Sequence, residues 1–324
     1  MVSIKEILKS IFPNIIDTWN LHKQMSANSK IIKTIEATDE AEYAEVLRDW
    51  YKRKTGHDLN LDNPQRLTEK IQWRKLFDHN PIYSTLSDKY SVREWVGRKI
   101  GEEYLIPLIG KWEHFHDIDF GLLPEQFVLK TNNASHTNII VTNKKRFMRK
   151  RWSAGRQMEY WLKTPFAYLE GLELHYQAIK PFIIAEKFLQ PEKGKKDLVD
   201  YKFHCFNGVP VLCQVIGDRS SGETIDFYDS NWNHISLARP PFPNTKEKKN
   251  KPANYELMLQ LVSELSKGFA YVRVDMYEHN EKVFFGEMTF TPASGMMKFE
   301  PDEWDYKLGK MWDIHSEQVC QSEI

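Results

Sequence analysis

The chain has little of what an oxidising compartment or a bilayer requires. Its three cysteines, Cys205, Cys213 and Cys320, have neither disulfide nor zinc-site spacing, which fits a reducing interior. No apolar run approaches the roughly 18 residues of a membrane span, and no secretory leader is seen. The expectation is a cytoplasmic protein. An excess of one charge is missing too: 45 basic residues balance 45 acidic ones, so nothing in bulk draws the chain to nucleic acid. Glycine is absent from the polar loop TNNASHT (131–137), where a phosphate cradle would favour it. What is present suffices for a core: 324 residues, 41% hydrophobic and 13% aromatic, enough for one large domain or two to three small ones.

The most informative stretch is YVRVDMYEHNEKVFFGEMTFTPASG, from Tyr271 to Gly295. Val272, Val274 and Met276 alternate with Arg273, Asp275 and Tyr277, the period of a half-buried strand. Glu278–Asn280 are turn formers, and a second alternating run leads from Val283 to Phe290, so the stretch predicts a β-hairpin. Charges inside apolar strands are costly unless paired or bound to a metal. Arg273, Asp275 and Glu287 all occupy such positions. Either they form a buried ion pair that fixes register, or the carboxylates hold a hard cation such as Mg²⁺. All three together, followed by Thr289 and a Pro-Ala-Ser-Gly turn, favour the metal. The metal requires both carboxylates on one face. A two-residue turn at His279-Asn280 would put them on opposite faces. A loop of odd length would set Arg273 across from Glu287 with Asp275 diagonal to it, and Asn280 suits the positive φ needed there.

Elsewhere the patterns are plainer. Ile4, Ile7, Leu8 and Ile11 form a helical stripe ended by Pro13, for core or partner packing or for docking on a membrane surface, and 28–33 reads as a connection. Ser87-Asp88 opens a helix to Gly101 that sets Lys89 and Arg93 on one face, as a solvated face or an anion site. His114 and His116 read as surface residues, since no third ligand is near in sequence, and Asp117-Ile-Asp119 reads as a loop. QFVLK is a strand ending in Lys130, and the loop after it can offer hydroxyl and amide donors to phosphate. Asp200, Lys202 and His204 share one face of a strand that turns at Asn207-Gly208. The stretch around Asp226, Asp229, Trp232 and Arg239 suits either a sugar acceptor or a surface hairpin.

The ordered segments NPQRLTEKIQW, SDKYSVREWV, PEQFVLKTNNASHTNIIV, IIAEKFL, DYKFHCFNG and RVDMY…FGEMTFTPASG run from about Asn63 to Gly295. In that order the chain resembles the TupA-like ATP-grasp proteins of bacterial surface-polysaccharide gene clusters. The resemblance implies an α+β ATP-grasp fold, with two subdomains gripping ATP between antiparallel sheets. It divides the chain into a helical N-terminal region (1–80), a pre-grasp segment (81–118), a small subdomain (119–190) and a large subdomain with the metal site (191–324). Lys130, Lys202 and Lys89 would contact ATP phosphates. Glu186 with the main chain of Lys187, Phe188 and Leu189 would bind adenine, and Asp200 would lie near the ribose. Asp275, Glu287 and Thr289 would hold Mg²⁺, with Arg273 steadying the transferred phosphoryl group. The implied reaction is carboxylate–amine ligation through an acyl phosphate, joining an amino acid or amine to a uronic acid or sugar. Peripheral association with membrane-bound polysaccharide machinery would follow. The rival readings are a nucleotide-sugar glycosyltransferase, a non-catalytic binding protein and a sugar kinase.

Overall fold

The computed structural model describes residues 13–169, 171–191 and 197–316. The Ile4–Ile11 stripe and Cys320 lie outside them. The chain divides into two compact units, Met1–Tyr43 with Pro107–Phe188 and Ala44–Ile106 with Leu189–Ile324. The N-terminal helices are therefore shared between the units. Helix α1 runs unbroken over Pro13–Glu36, so 28–33 is helix and not a connection. Pro13 opens it, because a proline at a helix start lacks only an N–H that would be unpaired there.

In the first unit, β1 (Leu108–Trp112), β2 (Phe127–Thr131), β3 (Asn138–Val141) and β4 (Ile183–Lys187) form an antiparallel sheet in the order β1-β4-β2-β3. Phe127 and Leu129 on β2 and Ile183 and Ala185 on β4 turn to one face. There they pack on Met158, Trp161 and Leu162 of the helix Arg151–Lys163. Alternation leaves Val128 and Lys130 on the other face.

In the second unit, β5 (Asp200–Phe206), β6 (Val209–Gly217), β7 (Thr224–Asp229), β8 (His234–Ile235), β9 (Tyr271–His279) and β10 (Lys282–Thr289) make a six-stranded sheet ordered β10-β9-β5-β6-β7-β8. One face carries Tyr201, Phe203, Val215, Val272, Val274 and Met276. It packs on Met258, Val262 and Leu265 of the amphipathic helix Tyr255–Ser266. On the other face, Phe206, Leu212, Phe227 and Tyr271 are covered by Leu67 and Ile71 of the helix Leu67–Phe77. The remainder of that second face is polar.

The helix Leu67–Phe77 also fixes the ends of the hairpin. Arg74, 2% exposed, donates Nη1 to the carbonyls of Tyr271 (2.9 Å) and Phe290 (3.0 Å), where β9 begins and β10 ends. Gln72 and Lys75 donate to the carbonyl of Ser294 at 2.9 and 2.6 Å. Ala293 and Ser294 there adopt φ of 48° and 54°. Such backbone costs on the order of 1–3 kcal/mol per residue and persists only when its surroundings determine it. Among the described residues no helix is long and apolar enough to cross a membrane.

Candidate active site

The hairpin reaches its register by a route other than the odd loop expected from the sequence. His279 pairs with Lys282, so the turn is the two residues Asn280 and Glu281, at φ of 49° and 61°. Positive φ at both positions matches the right-handed twist of the strands, and for Asn280 it was anticipated. An even turn alone would leave Glu287 and Asp275 on opposite faces. A β-bulge between Phe285 and Glu287 inserts one residue, Gly286, and everything beyond it changes face. Glu287 then lies directly opposite Asp275, and Thr289, not Glu287, lies opposite Arg273. A Cβ at Gly286 would sit 2.9 Å from Tyr277 Cε2 and 3.0 Å from the Asp275 carbonyl oxygen, so the bulge needs glycine.

The register continues inward. Asp275 pairs with Lys202 on β5, and Lys202 with Gln214 on β6. Directly opposed residues face the same way. Glu287, Asp275, Lys202 and Gln214 therefore form one polar row across four neighbouring strands, with Thr289, Arg273 and His204 as the next row. Arg273 joins the rows. Its Nε donates to Asp275 Oδ1 at 2.7 Å, and its Nη2 donates to Asp275 Oδ2 (2.9 Å), Glu287 Oε1 (2.7 Å) and Thr289 Oγ1 (2.9 Å). Lys202 Nζ donates to Asp275 Oδ2 and lies 3.7 Å from Asp200 Oδ1.

Position makes the two carboxyls unequal. Burial pushes Asp275 above the usual carboxylate range despite Arg273 and Lys202. Burial acts the same way on Glu287, but Lys202, Arg273 and Lys89 together hold it well below that range. Arg273 stays charged: the Asp275 and Glu287 carboxylates more than offset its burial. His204 is fully enclosed and falls to about 3, through burial and then the charge of Arg273. It is neutral at physiological pH and is held by Tyr271 Oη, 2.9 Å from its Nδ1.

Lys89 acts on Glu287, but from the turn before a shorter helix, Val92–Ile100, so it does not share a helical face with Arg93. The Asp88 side chain caps that turn through Tyr90 N–H and Ser91 Oγ, which keeps Lys89 outside the helix. Arg93 donates to the carbonyl of Ile106 at 2.8 Å. Asp200 is buried and ion-paired to Arg219 at 2.6 Å, a residue that sequence patterns did not single out. Asp226, Asp229 and Trp232 serve the fold. Asp226 accepts from Thr245, Asp229 caps its own turn, and Trp232 stacks on Tyr228 at 4.1 Å. Arg239 is different. It has no carboxylate at ion-pair distance among the described residues, and burial with the nearby charge of Arg273 lowers it to about 10.

In the first unit, Lys130 Nζ donates to Glu186 Oε2 at 2.6 Å. The N–H of Lys187 goes to the Pro107 carbonyl at 2.9 Å, so an adenine contact at this residue would fall to its carbonyl. Phe188 ends this unit and Leu189 begins the next. The loop after Lys130 also departs from expectation. Asn132 Oδ1 accepts from Phe182 N–H (2.6 Å) while its Nδ2 donates to the Lys180 carbonyl (3.0 Å), and Thr131 donates Oγ1 to Thr137 (2.7 Å). These buried side chains hold the loop together, and their hydrogen bonds are taken up within the fold.

The donor set on the β9–β10 face suits Mg²⁺: two carboxylates and a hydroxyl converge on one point. The Arg273 Nη2 group takes up oxygens of all three. Asp200 Oδ1 and Gln214 Nε2, beside Lys202 in the sheet, are buried without a hydrogen bond, as polar groups are where a ligand would complete the network. Gln214 and the Gly286 bulge were missed in the sequence. Only the pairing register reveals them, and neither residue type is unusual in a strand.

The TupA-like ATPgrasp family model matches residues 69–313. A search of curated proteins found no match. Among solved structures, the chain is similar to D-alanine–D-alanine ligase from Bacillus anthracis complexed with ATP (16% identity, TM-score 0.36, covering 64% of this chain and 55% of that one). It is also similar to N5-carboxyaminoimidazole ribonucleotide synthetase from Thermus thermophilus (12%, 0.35, 64% and 45%). A third is phosphoribosylamine–glycine ligase from Thermotoga maritima (10%, 0.37, 67% and 52%). The chain thus spans about half the length of each, and overlaps of this size carry no argument alone.

Proposed function

The chain belongs to the TupA-like ATP-grasp family, and from that premise we propose that it is an ATP- and Mg²⁺-dependent carboxylate–amine ligase. Its substrates are an amino acid or amine and a uronic acid or sugar of a bacterial surface polysaccharide. The observation that supports this most is the bulged hairpin, which sets Asp275, Glu287 and Thr289 around one point beside Arg273 and Lys202. A register-fixing ion pair would need no third oxygen and no second cation.

In the reaction, an acceptor carboxylate oxygen attacks the γ-phosphorus of ATP, the bond to the bridging oxygen breaks, and ADP leaves. The amine nitrogen then attacks the acyl phosphate carbon, phosphate departs, and the amine loses a proton to give the amide. Mg²⁺, when bound, supplies positive charge against the phosphate oxygens. Asp275, Glu287 and Thr289 would hold it. Arg273 has to release their oxygens and turns its freed N–H groups to the transferring phosphoryl group. Glu287, held ionised by its three cations, needs no proton loss to serve as a ligand. Lys202, Lys130 and Lys89 bind phosphate oxygens, and the main chain at Phe188 and Leu189 takes adenine. Arg239, with no carboxylate of its own, holds the acceptor carboxylate. These residues position and stabilise charge, and none becomes covalently modified.

The test is ADP release from ATP·Mg²⁺ against a panel of uronic acids and amino acids, with product masses. An amide product that requires both partners is expected. ADP formed equally without amine would make the protein a kinase, and sugar transfer from a nucleotide sugar without ADP would refute the ligase.

A further inference from the structure

The first unit carries a cluster that the ligase reading does not use. His114 and His116 flank Phe115, and Glu159 reaches them from the helix Arg151–Lys163, 43 positions beyond His116 in the chain. One ligand atom from each of the three lies within 4.8 Å of the others. We propose that His114, His116 and Glu159 form a binding site for a divalent transition-metal ion, with Zn²⁺ as the fitting ion.

The ligand chemistry selects the metal. Two imidazoles and one carboxylate suit Zn²⁺ and its neighbours, and do not suit Mg²⁺ or Ca²⁺, which take oxygen ligands. Tetrahedral donors about 2.0–2.1 Å from zinc stand roughly 3.4 Å apart. Glu159 Oε2 is already 3.6 Å from His114 Nδ1. His116, 79% exposed at its side chain, has room for the small shift that closes the remaining distance. The supporting contacts are also those of a metal site. The second oxygen of Glu159 accepts from the Phe115 N–H at 2.8 Å, which aims the carboxylate. Asp117 Oδ1 lies 3.4 Å from His116 Nε2, where a carboxylate orients a metal-bound imidazole. Asp117 Oδ2 also accepts from His114 N–H at 3.2 Å and closes the turn that brings the two histidines together. His116 and Glu159 also line a cavity of 980 Å³, so the ion keeps a position open to water or a further ligand. The ion would fasten the Phe115–Asp117 turn to the helix Arg151–Lys163.

Full-length protein without an affinity tag is stripped with chelator and titrated with Zn²⁺ by calorimetry, in excess Mg²⁺ to saturate the oxygen-rich site. Wild type is expected to take up one more equivalent than H114A/H116A, with affinity weakened roughly tenfold or more in H116A and in E159Q. Zn²⁺ should raise the melting temperature of wild type and leave that of the double variant unchanged. Co²⁺ should give visible d–d absorption in wild type alone. Equal Zn²⁺ uptake and equal thermal shifts in wild type and H114A/H116A, or no uptake by wild type, would overturn the assignment.

Discussion

The β9–β10 hairpin and the loop after Lys130 looked alike in sequence, each a run of polar side chains beside an apolar strand, yet the fold uses them differently. In the hairpin the polar groups face one another across paired strands and converge on Arg273. In the loop, Thr131, Asn132 and Thr137 turn inward and bond to the fold. Strand side chains are aimed by the pleat, and no local contact can redirect them. Short hydroxyl and amide side chains in a loop have the backbone within reach and bond to it first. Polar residues in a strand are therefore stronger evidence of a ligand than the same residues in a loop.

The strongest way to break this contrast is to remove the charges in the hairpin. Asp275→Asn and Glu287→Gln are each expected to lower turnover by roughly a hundredfold or more, with unchanged circular dichroism. Normal ADP release in both variants would leave the hairpin as a structural ion pair. Arg273→Met leaves two carboxylates without the counter-ion they share. It should cost about 3–5 kcal/mol in urea unfolding as well as activity.

A sharper cut leaves every charge in place. Inserting one alanine between Gly286 and Glu287 shifts the register beyond the bulge by one residue and turns Glu287 to the face opposite Asp275, so the insertion should match Glu287→Gln in activity. Gly286→Val keeps the residue count but puts a side chain against Tyr277 and the Asp275 carbonyl. A loss of about 1–3 kcal/mol is expected there, with a smaller effect on rate. Full activity in the insertion would show that the shared face is not needed.

Lys130 tests the other unit. Lys130→Ala should weaken ATP·Mg²⁺ affinity about tenfold, the worth of one charge-assisted contact. The variant should remain folded, since the Lys130 side chain is 23% exposed. Unchanged nucleotide affinity would confine Lys130 to its pairing with Glu186.

Much of this was legible in the sequence because alternation, turn residues and motif order are local. The hairpin, the positive φ at Asn280, and the shared face of Asp200, Lys202 and His204 all follow from them. The bulge at Gly286 was not legible, because a glycine in a strand pattern reads equally as a weak point. The N-terminal helix was misread at 28–33, where polar residues in a long helix resemble a link. The partners Glu159 for His114 and Arg219 for Asp200 were beyond any sequence window, since tertiary packing alone brings them together.

The smallest expected effect on binding is the most telling one for the loop. Asn132 is fully buried, and its side chain satisfies the Phe182 N–H and the Lys180 carbonyl. Asn132→Ala leaves both backbone groups unpaired, a loss of about 1–3 kcal/mol by the cost of a buried unsatisfied donor or acceptor. Its ATP·Mg²⁺ affinity, measured by calorimetry well below the melting temperature, should stay within about twofold of wild type. If the amide instead served phosphate, affinity would fall as far as in Lys130→Ala while stability barely moved. The two readouts therefore separate a side chain that builds the loop from one that binds the nucleotide.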